Sequence, residues 1–276
     1  MKLGFCGVGR WAQKLASAFR GCGAEIVAYD RRDTPLIDPL CPYQQGYLAG
    51  FGHYTPWRSQ LADPSIDAII AVATPEVTTE VAMACAAAGK PVMATKPLFD
   101  HPETIRAPFY VDFWRLWSEA HARGKTVRNP SIVLLGHGPF RSFAGAYDYG
   151  PHVLAAAMDW CGTTDLEITQ CLRIDPSDYV DYAGNGGEQF QVGFRGLGCS
   201  VSTQFGNGAP DGIRSICGQA EQASRIGSEE KSAVLRRFCQ SFLDDLSEGF
   251  VDTRLLNLSR DGMRMLRQVR EMAVSA

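Results

Sequence analysis

The chain has no apolar run near the roughly 20 residues that a membrane-spanning helix needs. Apolar stretches such as Ile69–Ala73 and Val153–Met158 are far shorter, so no membrane partner is expected. It has no excess of positive charge either: 27 Lys and Arg against 30 Asp and Glu leave a net charge of −3. A grip on nucleic-acid phosphates requires a basic face, so no nucleic-acid partner is expected. Nine cysteines, at 6, 22, 41, 85, 161, 171, 199, 217 and 239, contain no Cys-x-x-Cys pair. An odd, dispersed set reads as reduced thiols rather than a disulfide framework or a zinc site. His53, His101 and His121 lack metal-ligand spacing with Cys or carboxylates, and no metal is expected. The nucleophile elbow G-x-S-x-G is missing, as are internal repeats and low-complexity tracts. Met1–Cys6 runs straight into an apolar segment, with no signal-type h-region and cleavage site. A cytoplasmic location is expected.

With 276 residues, 45% hydrophobic and 21% charged, the chain has material for two soluble globular domains. Its first part alternates strand and helix signals. Lys2–Cys6, Glu25–Tyr29, Asp67–Ala73 and Pro91–Ala94 read as short buried strands. Arg10–Arg20, Pro56–Ala62 and Pro75–Ala88 read as helices, the last closed by Gly89. Strands apolar on both faces, separated by helices, indicate a parallel sheet covered on both sides. Beyond Lys96-Pro97 the texture changes. Gly150-Pro151 opens a helix running to Trp160, with proline in its first turn. Period-two runs follow: Leu166, Ile168, Leu172 and Ile174; then Phe190, Val192 and Phe194; then Cys199, Val201, Thr203 and Phe205. They predict a mostly antiparallel sheet with one polar face. Helices over Glu229–Leu246 and Leu258–Met272 end the chain. The expected fold is α/β, with a Rossmann dinucleotide-binding domain over 1–98 and an α+β substrate-binding and oligomerisation domain over 99–276.

Gly7-Val8-Gly9-Arg10-Trp11-Ala12 is G-x-G-x-x-A between the first strand and the first helix. The first glycine makes the tight turn, the second admits a pyrophosphate, and the small third position lets helix and strand pack closely. The helix N-terminus offers unpaired N–H groups and a positive dipole end to phosphates. Asp30 ends the second strand 23 residues after Gly7, where a carboxylate grips the adenosine ribose. That carboxylate repels a 2′-phosphate and favours NAD, while Arg31 and Arg32 offer a partner to NADP.

Two stretches carry a family likeness: Asp63-Pro64-Ser65-Ile66-Asp67-Ala68-Ile69-Ile70-Ala71-Val72-Ala73-Thr74-Pro75, and Ala88-Gly89-Lys90-Pro91-Val92-Met93-Ala94-Thr95-Lys96-Pro97. With Asp148-Tyr149-Gly150-Pro151-His152, Trp160-Cys161-Gly162 and Ser241–Gly249 in consistent order, the chain resembles a short member of the Gfo/Idh/MocA family of NAD(P)-dependent oxidoreductases. It departs at Thr95, where the family carries glutamate, at Thr78 or Thr79, which occupies the place of a usual histidine, and over Leu98–Phe109, which is too short and Pro-rich for the usual helix. The resemblance implies that Gly7, Val8, Gly9, Arg10, Trp11, Asp30, Arg31, Thr74, Pro75 and Lys96 hold the dinucleotide. It further implies that Lys96, Asp148 and His152 do the chemistry, and that subunits pair as homodimers or homotetramers.

At such a site, His152 in a first helical turn has its pKa depressed by the helix dipole, and a neutral imidazole accepts a hydroxyl proton as hydride leaves the same carbon. Asp148 fixes the imidazole tautomer or binds a second hydroxyl. Lys96, at the carboxyl end of a parallel strand, hydrogen-bonds the reacting oxygen. The aromatics Phe109, Tyr110, Phe113, Trp114 and Trp117 read as packing more than as pocket lining. His137 and Arg141 precede the Asp148 segment as further candidates. The expected activity is hydride transfer between NAD(P) and a carbon bearing hydroxyl, carbonyl or imine, on a small sugar or cyclitol-like molecule. The alternatives are a non-catalytic dinucleotide sensor and a redox-neutral enzyme with tightly held NAD.

Overall fold

Buried β-forming runs separated by amphipathic helices give the first half of the chain its parallel sheet. The computed structural model describes residues 1–31, 51–136, 146–174, 187–209, 213–216, 219–221 and 228–274. In chain order, β1 (Lys2–Cys6), α1 (Arg10–Gly21), β2 (Glu25–Asp30), β3 (His53–Tyr54), α2 (Trp57–Ala62), β4 (Ala68–Ala71), α3 (Pro75–Ala88), β5 (Val92–Ala94) and β6 (Phe109–Val111) build one sheet and its helices. Its order is β3-β2-β1-β4-β5-β6, with every pairing parallel. The register is what matters for a site. Cys6 stands opposite both Asp30 and Ala71, Ala71 opposite Ala94, and Ala94 opposite Val111. The residues that follow these five strand ends therefore emerge along one edge.

The chain divides into two compact units, residues 1–112 with 235–256, and residues 113–234 with 257–276. The first unit thus runs past residue 98, because β6 adds to the sheet after the Pro-rich connection, with the Val92 N–H donating to the Pro108 carbonyl. A three-residue strand is too short to show as periodicity. The late segment returns through α6 (Ser228–Glu248). Phe242 meets Phe19 edge-on at 6.1 Å, and the Tyr110 hydroxyl donates to Asp245 at 2.6 Å. Burial and that carboxylate push the Tyr110 phenol up. Phe5 contacts Phe19 and Phe51 at 6.4 and 5.3 Å, completing an aromatic core under β1.

The second unit holds a short 3-10 turn (Trp114–Trp117), α4 (Glu119–Gly124), β7 (Ser131–Gly136), α5 (Ala146–Cys161), β8 (Glu167–Ile174), β9 (Gln189–Arg195), β10 (Ser200–Asn207), β11 (Ile213–Ile216), β12 (Gln219–Glu221) and α7 (Arg254–Val274). The sheet order is β12-β11-β7-β10-β9-β8, antiparallel except at β7–β10. It is the mixed, mostly antiparallel sheet that the alternating runs indicate. One strand departs from its pattern. A bulge between Ile168 and Gln170 shifts register, so Ile168 faces inward opposite Phe194 while Leu172 lies opposite the exposed Gln191. Leu172 and Ile174 are consequently 48% and 36% exposed. One inserted residue moves all later side chains to the other face.

α5 also differs from expectation. It begins at Ala146, leaving Pro151 inside the helix, where the missing N–H forgoes one turn bond. A distant carboxylate helps to hold its start. Glu188 Oε2 accepts from the Ala146 N–H at 3.3 Å, and its Oε1 receives Arg270 Nε and Nη2 at 3.3 and 3.2 Å. Arg270 Nη1 donates to the Tyr147 hydroxyl at 3.2 Å. Glu188→Ala removes an acceptor from a helix N-terminus and a partner from a guanidinium. It is expected to lower the unfolding free energy by about 1–3 kcal/mol. An unchanged urea midpoint would show that the clasp contributes nothing.

Candidate active site

The first unit assembles its site from strand ends. Gly7 adopts φ of +101°, and a Cβ there would lie 2.1 Å from the Val72 carbonyl oxygen. Only glycine lets the turn close against β4 in that conformation. The Gly7 N–H donates to the Asp30 carbonyl at 2.9 Å, fastening the turn to the end of β2. Gly9 differs: it caps α1 without side-chain help, and a Cβ built on it meets nothing within 4 Å among the described residues. Its lack of a side chain serves open space, not packing. Ala12 is buried where helix meets strand. The first turn of α1 contains no acidic residue to occupy the N–H groups there. This is the cradle that a pyrophosphate needs.

Asp30 is half-buried at the neighbouring strand end, and its Oδ2 accepts the Trp57 N–H at 2.9 Å. That bond orients the carboxylate at the end of β2. Arg31 beside it is exposed, as is Arg10, while Val8 and Trp11 are half-buried. Arg32, His137 and Arg141 lie outside the described residues. On the other side of the turn, Thr74 caps α3 and Pro75 is its first residue. The Thr74 hydroxyl is buried without a hydrogen-bond partner among the described residues, so its bonding capacity is left for a guest. These features fit a dinucleotide. Lys96 follows β5 half-buried, with a cis bond to Pro97. The Thr95 N–H donates to the Ala71 carbonyl at 2.9 Å, extending the ladder up to the lysine.

In the second unit, Asp148 occupies the first turn of α5 and His152 lies nearly two turns in. The dipole effect expected for His152 belongs to a first-turn position, which this histidine does not occupy. In its place the helix gives a geometric relation. Residues four apart share a face, and Asp148 and His152 do so on one continuous helix. His152 is 7% exposed, with the Phe113 ring edge-on at 6.0 Å. Phe109, Tyr110 and Trp114 are buried as well, as packing residues should be.

Two groupings escaped sequence reasoning. His121 Nε2 pairs with Asp159 at 2.6 Å and stacks on Trp160, and Lys125 joins the same carboxylate at 2.8 Å. Nothing in the 38-residue separation signals that contact. Trp11 donates its indole N–H to Asp112. The charge inside Phe109-Tyr110-Val111-Asp112-Phe113 is a signal that could have been followed. Among the described residues no disulfide and no metal-binding cluster occur. Burial pushes the Cys6 and Cys85 thiols up to about 12. No helix among the described residues is long and apolar enough to cross a membrane.

Residues 1–109 match the oxidoreductase family Gfo/Idh/MocA, with its NAD-binding Rossmann fold. No curated protein matches the chain in sequence. Solved structures match in fold along its whole length. A probable dehydrogenase from Thermotoga maritima shares 14% identity over 100% of this chain and 97% of its own, with a TM-score of 0.71. Myo-inositol 2-dehydrogenase from Lactobacillus plantarum shares 14% over 99% and 97%, with 0.74. Levoglucosan dehydrogenase in complex with NADH shares 13% over 100% and 97%, with 0.75. At such identities the likeness is one of fold.

The two glycines of this turn should separate by experiment. Gly9→Ala, with open space around its Cβ, is expected to change stability by no more than about 1 kcal/mol while weakening NAD binding. Gly7→Ala is expected to cost several-fold more stability, since backbone must move. Calorimetric titration and denaturant unfolding check both. Equal behaviour of the two variants would contradict the division of roles.

Proposed function

We propose that this protein is an NAD-dependent dehydrogenase acting on a hydroxyl-bearing carbon of a sugar or cyclitol. One observation carries the reading: the open Gly9 cradle, the oriented Asp30 carboxylate and Lys96 lie along one carboxyl edge of a parallel sheet. The myo-inositol and levoglucosan dehydrogenases of the same fold support a polyhydroxylated ring as the substrate class. NAD is favoured over NADP because a carboxylate at the ribose opposes a 2′-phosphate.

Bound NAD supplies the hydride acceptor. The chain's own residues handle the substrate oxygen and its proton. Lys96 donates a hydrogen bond to that oxygen and stabilises its developing negative charge. His152 takes the hydroxyl proton as the carbon–hydrogen bond breaks. Asp148, on the same helix face, fixes the imidazole tautomer or holds a second hydroxyl. The Rossmann unit serves the dinucleotide and the second unit the substrate. The partly polar outer face of the second sheet, with Leu172 and Ile174 on it, pairs subunits into a homodimer or homotetramer. Free thiols and a soluble cofactor fit the reducing cytoplasm.

The test is NADH formation from NAD⁺ with a panel of inositols, aldoses and anhydrosugars, alongside the oligomer mass by light scattering. Lys96→Met and His152→Ala are each expected to lower kcat by about 10²–10⁴-fold while NAD binding persists. Unchanged turnover in both variants would overturn these roles.

A further inference from the structure

Asp112 is a buried charge that the proposed chemistry does not use. It directly follows β6 and is 1% exposed, and its N–H donates to the Ala94 carbonyl at 2.8 Å. It therefore stands at the same carboxyl edge as Lys96, one strand further out. Its carboxylate accepts the indole N–H of Trp11, the second residue of α1. A carboxylate removed from water is costly unless its surroundings favour the charge, so its placement on this edge calls for a reason.

Sheet order supplies one. Asp30 fixes the adenosine ribose on β2, to one side of the glycine turn, while β4, β5 and β6 lie to the other side. A dinucleotide resting its pyrophosphate at Gly9 sends its nicotinamide half over that second side. Trp11 reaches the same way, as its bond to Asp112 shows. The oxidised nicotinamide ring is a cation and the reduced ring is neutral. An indole face and a buried carboxylate both attract a cation. Lys14 Nζ, 5.9 Å from the indole centroid, opposes this bias, but its side chain is exposed and screened by solvent.

We infer that Trp11 and Asp112 form a wall for the nicotinamide half of the cofactor: the indole contacts the cofactor, and the carboxylate holds the indole and favours NAD⁺ over NADH. The inference rests on the NAD-binding reading of this site. Dissociation constants for NAD⁺ and NADH, measured separately by calorimetry on wild type, Asp112→Asn and Trp11→Phe, test it. Asparagine keeps an acceptor for the indole but loses the charge. Asp112→Asn is expected to weaken NAD⁺ binding about ten-fold or more beyond any change for NADH. Trp11→Phe, which is the safer fold at a half-buried position, is expected to weaken both forms and to reduce energy transfer from tryptophan to bound NADH. Equal factors for the two cofactor forms in Asp112→Asn overturn the electrostatic role. Unchanged affinity and energy transfer in Trp11→Phe overturn the wall. Wild-type protein that binds neither form removes the cofactor site itself, and the inference with it.

Discussion

The approach of the Gly7 backbone to the Val72 carbonyl is the constraint on which the rest of the first unit depends. At 2.1 Å from where a Cβ would stand, no other residue can close the turn so tightly between β1 and β4. Closure aims the start of α1 along the carboxyl edge and leaves Gly9 facing open space. The parallel register then aligns the neighbouring strand ends, so that Asp30, Thr74, Lys96 and Asp112 emerge beside the turn. A sheet with slipped strands would scatter them. Position along this edge, not any single residue type, makes the constellation chemical.

Much of this was legible in the sequence because it is local. The G-x-G-x-x-A run, the carboxylate at the end of β2 and the proline and glycine bounding α3 each act within a few residues of themselves. The period-two runs of β9 and β10 are equally direct, with Phe190, Val192 and Phe194 buried as alternation requires. What escaped was set at a distance. The β8 bulge leaves hydrophobicity looking alternate while it turns Leu172 and Ile174 outward. The start of α5 could not be read from Gly150-Pro151, because an acceptor for its first N–H is Glu188, more than 40 residues later. The short strands β3 and β6 gain their partners from the sheet rather than from their own composition.

The same distinction separates the parts of the candidate site. Asp30 and Gly9 carry a physical rationale in their immediate surroundings. Lys96 has one in its strand end. His152 has lost the dipole argument and retains burial, the Phe113 contact and a face shared with Asp148. The proton-transfer role proposed for it rests on family likeness and on the helix relation. Asp112 shows the reverse case, in which a residue unremarked in the sequence acquires meaning from the edge on which it lies. Departures such as Thr95 for the family's glutamate leave the backbone ladder intact, since the Thr95 N–H still pairs with Ala71.

The central claim is that the glycine turn and Asp30 bind a nicotinamide dinucleotide and prefer NAD. Thermal unfolding with NAD⁺, NADH, NADP⁺ and NADPH, each titrated separately, tests it most directly. Occupancy at one hundred times the dissociation constant adds about 2.7 kcal/mol to the native state. The account predicts a saturable rise with NAD⁺ and NADH and a much smaller one with the phosphorylated pair. No shift with any of the four, and no nucleotide released on denaturation, would reduce the turn to a packing device and contradict the account.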